Sequence, residues 1–415
     1  MLRLVGRFPG TIPPTFCRPI RLSHMRLDLY ACQWLTASFV IGLLVFAEPI
    51  LGQAPAPSPA TRLPISIPFD FANNQVFMKV SINGSSPVWF ILDSGASACV
   101  VDAALAQKLH LQIEGEKQGT GAGKGTVTVR YAKSITYGLP GIAVPVENSY
   151  VIDLSGQPAL QGREVGGILG YDFFVRYVVD VDYSAHVMTL WEAASYAYRG
   201  TGKLIQFALV KKTPHIRARI GVGGQAPIDR ELLVDSGSED AVDDDLFAKS
   251  SQRLEVIGGV GLGQEFRTTL GRADSVQIGD FLLVQPFGAT GGVPLLGTEV
   301  LRRFRVIFDY SRQQIALEPN PHFGEPFLFD ASGLDLRWAP GFSEFVVHDV
   351  AQDSPAMHAG VKTNDAIVEI NGQAASSFTL EQVTAMLAEA GQSYRLTIRR
   401  KGSMQVITIA LAKRL

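Results

Sequence analysis

The sequence predicts a mostly β protein made of two like lobes followed by a small α+β domain. Three observations carry this expectation. A pattern of alternating strand, turn, apolar strand and Asp-Ser-Gly occurs twice between residues 64 and 320. Glycine and proline, 41 and 23 of the 415 residues, supply turns in the number that β structure needs. Beyond residue 328 a capped helical stretch appears among short apolar runs. The length suits two or three domains rather than one core. At 47% hydrophobic and 18% charged the chain is globular, and its net charge of −2 gives no reason to expect a nucleic-acid partner.

In the first copy Val76, Met78, Val80 and Ile82 alternate with polar or outward positions, the period of a half-buried strand. Asn83-Gly84 is a hairpin turn, and Val88-Trp89-Phe90-Ile91-Leu92 leads into Asp93-Ser94-Gly95. In the second, Ile216, Ala218, Ile220 and Val222 alternate, Gly223-Gly224 turns, and Leu232-Leu233-Val234 leads into Asp235-Ser236-Gly237. Each copy closes on an apolar run ending in glycine, Gly167-Ile168-Leu169-Gly170 and Pro294-Leu295-Leu296-Gly297. Twelve residues after each closing glycine comes Asp-Tyr-Ser, at 182–184 and 309–311, with Arg176 matching Arg303 on the way. The triplets are 142 apart and the closing glycines 127, so the second copy is 15 residues shorter between its landmarks, a loss expected in a loop.

The leader holds five arginines and no acid over residues 1–27, then a nearly unbroken apolar run over 30–47. Its core, 34–47, is short for a membrane span and suits a signal peptide, with Met25 as an alternative start. An Ala/Pro-rich tether follows. The expectation is an exported protein, periplasmic or secreted, with membrane anchoring through residues 30–47 as the alternative. Expected boundaries are 1–54 for the leader, 55–63 for the tether, 64–198 and 199–320 for the lobes, 321–328 for a linker and 329–415 for the last domain.

Over about residues 64–320 the chain resembles the retropepsin-like and pepsin-like aspartic peptidases, on ILDSGAS at 91–97, LVDSGSE at 233–239 and the two closing segments. The resemblance implies two pseudo-symmetric retropepsin-like β-barrel lobes facing each other about a two-fold axis, each giving one catalytic aspartate, Asp93 and Asp235. The residues support that chemistry directly. Gly95 and Gly237 let each loop turn sharply, and Ser94 and Ser236 offer hydroxyls to bond across the axis. Carboxylates about 3 Å apart repel by roughly 1.4 kcal/mol in water and about 5.5 at an effective dielectric of 20. The pair therefore shares one proton under mildly acidic conditions. Ser238, where the first copy has Ala96, gives the second loop one more hydroxyl expected to serve Asp235. The glycine-rich stretches 119–125 and 258–263 are candidate flaps or plain hairpin loops.

Other chemistries lack their residues. There is no Gly-x-Ser-x-Gly elbow and no His-Glu-x-x-His, and the seven histidines are scattered. Neither metal nor cofactor is expected. Cys99 reads as a buried apolar residue rather than a nucleophile, and Asp240 with Asp243-Asp244-Asp245 as a solvated helix start.

The last 85 or so residues resemble a bacterial PDZ domain, on Ser354-Pro355-Ala356, Ala359-Gly360-Val361 and Asp365-Ala366-Ile367-Val368-Glu369-Ile370-Asn371-Gly372. Asn364 stands where that family has glycine. Thr379 and Gln382 form a capping box for a helix running to about Glu389, with Leu380, Val383 and Leu387 on one face. The resemblance implies C-terminal peptides held beside this helix: Gly333 in the loop, Leu334, Asp335 and Leu336 on the edge strand, Val383 and Leu387 in the pocket. The expected whole is a monomeric aspartic endopeptidase acting on peptide or protein substrates. A catalytically inactive peptide-binding scaffold is the alternative, and a regulatory protease with one partner a third reading.

Overall fold

A computed structural model describes residues 63–119, 126–258 and 266–415. The leader, the tether and most of both glycine-rich stretches lie outside the described residues. The expected faces are buried, but the first strand is not half-exposed: Gln75 and Phe77, on its other face, are buried as well, Phe77 in a second apolar cluster. In the strand Gln75–Ile82 the side chains of Val76, Met78, Val80 and Ile82 are buried, and in Thr213–Gly221 so are those of Ile216, Ala218 and Ile220. Asn83 and Gly84 turn at φ 49° and 81°, Gly223 and Gly224 at 65° and 71°, left-handed values that Asn and Gly tolerate.

Each copy then builds the same motif. Val88–Leu92 runs parallel to Val165–Leu169, with Leu92 opposite Leu169. Ile228–Val234 runs parallel to Leu295–Leu296, with Val234 opposite Leu296. The protein is mostly β, and its lobes are joined by a six-stranded sheet. Its order is Ile65–Pro68, Val187–Glu192, Tyr177–Asp182, Phe304–Asp309, Gln314–Pro319 and Lys203–Gln206. At the seam Asp180 lies opposite Ile307, Val179 opposite Phe308 and Val181 opposite Val306. These pairs interchange under the 127-residue offset of the repeat, so the pseudo-two-fold axis passes between Asp180 and Ile307.

The second copy's shortening can be placed. Tyr150 and Ala289 are equivalent by register, yet Gly170 follows the first by 20 residues and Gly297 follows the second by 8. Most of the loss therefore falls on a segment that in the first lobe carries the helix Gln157–Gln161. That helix meets the C-terminal domain. At Gly162, just past its end, a Cβ would come within 2.5 Å of the Trp338 indole nitrogen, so glycine is what lets the two surfaces close.

The C-terminal domain has its own core, including Phe345, Val347, Ile367, Leu396 and Ile398. Its sheet runs Leu334–Trp338, Phe345–Val350, Ala366–Ile370, Ser393–Arg400 and Ser403–Ala410. The capping box of Thr379 and Gln382 starts the helix Leu380–Leu387, which ends two residues before the expected Glu389. Asn364 adopts φ 68°, a left-handed value that Asn tolerates better than most residues.

Residues 321–328 are not a loose tether. Phe327 is buried, Phe323 packs against Phe281 and Phe304, and the Arg303 guanidinium bonds to the carbonyls of His322, Glu325 and Pro326.

Candidate active site

The two Asp-Ser-Gly loops meet where the lobes join. Each aspartate leaves the end of an apolar strand, its amide held by the neighbouring parallel strand: Asp93 N–H donates to Leu169 O at 3.0 Å and Asp235 N–H to Leu296 O at 2.9 Å. The serines lock the loops together. Ser94 Oγ donates to Val234 O at 2.7 Å, and Ser236 Oγ to Leu92 O at 2.9 Å. Each hydroxyl also accepts the other serine's amide, both at 3.0 Å. Both serines are fully enclosed, so this four-bond cross-link is shielded from water, where hydrogen bonds are strongest.

The glycines let the carboxyls approach. A Cβ on Gly95 would lie 2.5 Å from Asp235 Cγ, and one on Gly237 would collide with Asp93 in the same way. Asp93 Oδ1 accepts the amides of Gly95 and Ala96 at 2.8 and 2.9 Å, and Asp235 Oδ1 accepts that of Gly237 at 2.9 Å. Burial, then the Asp235 carboxylate, hold Asp93 well above the usual carboxylate range. Burial also raises Asp235, against the pull of the Gly237 amide and of Asp93. The pair holds a proton jointly and titrates as a unit.

Several supports were not anticipated. Tyr310, fully buried, donates its hydroxyl to Ser94 O at 3.2 Å, while Thr298 Oγ1 donates to Ser236 O at 3.1 Å. The repeat mate of Tyr310, Tyr183, has a buried hydroxyl with no partner among the described residues. From the first lobe, Gln75 Nε2 donates to Gly237 O at 2.5 Å and Asn74 Nδ2 to Glu239 O at 3.1 Å, bracing the second loop from across the seam. The Asn-Asn turn before a strand carried no signal for this.

Two expectations are corrected. Ser238 does not offer its hydroxyl to Asp235: Oγ accepts the Asp240 amide at 3.3 Å, and only the Ser238 amide reaches Asp235. The acidic run does start a helix, but it is solvated only in part: Asp245 is exposed and Asp240 half-buried. Asp243 and Asp244 are 8% and 5% exposed, Asp243 in a strand and Asp244 capping the short 3-10 helix Asp245–Lys249. Cys99 is buried, its thiol pushed up to about 12 by burial, so it is no nucleophile at neutral pH.

In the C-terminal domain Leu334, Leu336, Val383 and Leu387 line one apolar cavity, with room of only about 10 Å³. Asp335 points away from it and pairs with Arg337 at 3.0 Å. The loop amides are already engaged. Ser332 and Gly333 donate to the Asp330 carboxylate at 2.9 and 2.7 Å, Leu334 donates to Ser332 Oγ at 3.0 Å, and Arg414 pairs with Asp330 at 2.5 Å.

Comparison with known proteins identifies two domains. Residues 78–173 match the family model of an aspartyl protease, and residues 346–400 that of a PDZ domain. The first match covers one lobe; the internal repeat extends the pattern to the second. The chain thus carries an aspartyl protease domain, with a PDZ domain near its C-terminus. No curated protein matches it. Among solved structures, the photosystem II D1 C-terminal processing protease is similar at 23% identity with a TM-score of 0.20. That likeness spans 22% of this chain and 25% of the other, so only about a quarter of that protease's length is matched.

Proposed function

We propose that this protein is an aspartic endopeptidase in which Asp93 and Asp235 activate a water between them. The observation that supports it most is the pair of carboxyls brought face to face by the serine cross-link and the two glycines. The ionised member takes a proton from water as the water oxygen bonds to the scissile carbonyl carbon. The protonated member gives its proton to the carbonyl oxygen, forming a gem-diol. Collapse breaks the C–N bond: one gem-diol hydroxyl returns its proton to the carboxylate that had donated one, the electron pair of the broken bond stays on nitrogen, and the nitrogen takes up the proton first removed from water. Ser94, Ser236 and Tyr310 act as positioning residues. The full-length protein should cleave members of a diverse peptide library, and an active-site aspartic-peptidase inhibitor should suppress every cut. Cleavage that the inhibitor leaves untouched sinks this reading; binding without cleavage favours the inactive scaffold.

The PDZ domain is assigned recruitment of apolar C-terminal peptides, supported by the shared cavity of Leu334, Leu336, Val383 and Leu387. With so little room, the helix Leu380–Leu387 must move off the strand for a side chain to enter. Val383 is 1% exposed and part of the domain core, so a charge there disrupts folding as well as binding. Leu334 is only partly buried and is the cleaner probe. Leu334→Asp is expected to weaken binding of tail peptides about tenfold or more with the domain still folded, the scale of losing an apolar anchor. Unchanged binding, measured by titration calorimetry, would place the peptide site elsewhere. Export is assigned on the leader's pattern alone.

A further inference from the structure

The two lobes present unlike walls to the dyad. Side chains two apart on a strand share a face, so Ile91 points the same way as Asp93, and Leu233 the same way as Asp235. Strand register extends each wall sideways. In the first lobe Ile91 lies opposite Ile168, which lies opposite Val100. In the second Leu233 lies opposite Leu295, which lies opposite Asp243. One extra residue between Asp235 and this strand moves the register by one and puts a carboxylate where the first lobe has valine.

The neighbours differ in the same sense. Ile91, Val100 and Ile168 belong to an apolar cluster with Val129 and Ile152, separate from the main core. By hairpin register Thr268 replaces Val129, and its hydroxyl donates to Thr290 O at 2.5 Å. Leu233 and Leu295 join no apolar cluster among the described residues.

Asp243 is more than nine-tenths buried. Its Oδ1 accepts the Ala289 amide at 3.0 Å, and its Oδ2 has no hydrogen-bond partner among the described residues. No described lysine, arginine or histidine pairs with Asp243 or with nearby Asp240, although Asp244 next door is paired with Arg230 at 3.0 Å. Burial, then Asp240, push the Asp243 carboxyl well above its ordinary value. A buried acid kept without a counter-ion, on the face that carries the catalytic group, would be satisfied by a cationic side chain.

We infer that Asp243 is a specificity determinant: the protein prefers substrates with an apolar side chain on one side of the scissile bond and a lysine or arginine on the other, the cation seated at Asp243. This rests on the peptide-cleaving reading above and names its substrate class. The geometry does not depend on which side is upstream, so both orders belong in the test.

Decapeptides with amidated C-termini, which keep the PDZ domain out of the reading, would carry leucine on one side of the bond. The other side would carry lysine, norleucine or glutamate. With the full-length protein, kcat/KM for lysine should exceed that for norleucine by about tenfold or more in one of the two orders. Asp243→Asn keeps the carbonyl oxygen that accepts the Ala289 amide, and should bring the lysine-to-norleucine ratio close to one. Asp243→Val should reverse it. An Asn variant that folds and keeps the wild-type ratio overturns the assignment, as does a wild type without a lysine preference in either order. If the wild type cleaves nothing, the same peptides are titrated onto Asp93→Asn by fluorescence anisotropy. A lysine preference that Asp243→Asn removes there retains Asp243 and discards the catalytic reading. Equal binding of lysine and norleucine discards Asp243.

Discussion

Asparagine at either Asp93 or Asp235 is expected to lower peptide cleavage by at least about a thousandfold, the scale of losing a positioned general acid or base. Neither carboxyl can stand in for both: one must be ionised to take the water proton while the other supplies a proton. The same substitution should not weaken the fold. Asp93 in the folded state titrates well above its unfolded value, because of burial and then the Asp235 carboxylate. Between those two values the folded state holds the extra proton, so stability falls as pH rises through that window and stays lower above it. Asp93→Asn removes that penalty. Its melting temperature should exceed the wild type's at pH 7, and the gap should close below about pH 4, near the unfolded carboxylate value. A variant that still cleaves at a tenth of the wild-type rate would end the two-carboxyl mechanism. One that melts lower at pH 7 would mean that the charge pair is not under repulsion.

The second large effect lies behind the second loop, where Arg303 holds Glu299, the neighbour of Thr298. Arg303 is fully buried. Its guanidinium bonds to Glu299 Oε1 at 2.8 Å and Glu299 O at 3.0 Å, reaches three carbonyls of residues 322–326, and lies 3.7 Å from the Phe327 ring. Arg303→Met is expected to destabilise by about 3 kcal/mol or more, since it strands several buried acceptors at once. Arg303→Lys should recover little, because an ammonium cannot reproduce the planar fork. Cutting the chain after Pro321 removes the same partners from the other side. Such a protein should melt well below one cut after Phe329. Calorimetric melting curves decide this, and equal stability of the two truncations would show that residues 322–329 contribute nothing to the lobes.

Much of this architecture was legible because it is written twice. Asp93 and Asp235, their serines and glycines, and the closing segments recur at fixed spacing, and duplication converts a weak triplet into a geometric statement. Local signals also held: the turns at Asn83-Gly84 and Gly223-Gly224 and the box of Thr379 and Gln382 need only neighbouring residues. What escaped depends on the second lobe's departure from the first. Asp243 looked like part of a solvated acidic run because one added residue changes which side chain faces the seam, and register is invisible without the partner strand. Arg176 and Arg303 were matched as equals, yet Arg303 is covered by the segment that follows its lobe, whereas Arg176 is exposed and bonds the carbonyls of Asp172 and Pro145. The bracing by Asn74 and Gln75 crosses more than 160 residues of sequence, and no local pattern announces it.

The Asp330 carboxylate in the PDZ loop changes what tail binding means there. A chain end arriving at Ser332 and Gly333 finds their amides in use, so it exchanges one anion for another and gains no new hydrogen bonds from the loop. Its rival is tethered two or three residues away and acts at the high effective concentration of a short linkage. Apparent affinity is then the intrinsic value scaled by the fraction of time Asp330 is turned aside. Under the proposed recruitment role, discrimination among tails would pass to their side chains, since the loop adds no hydrogen bond of its own.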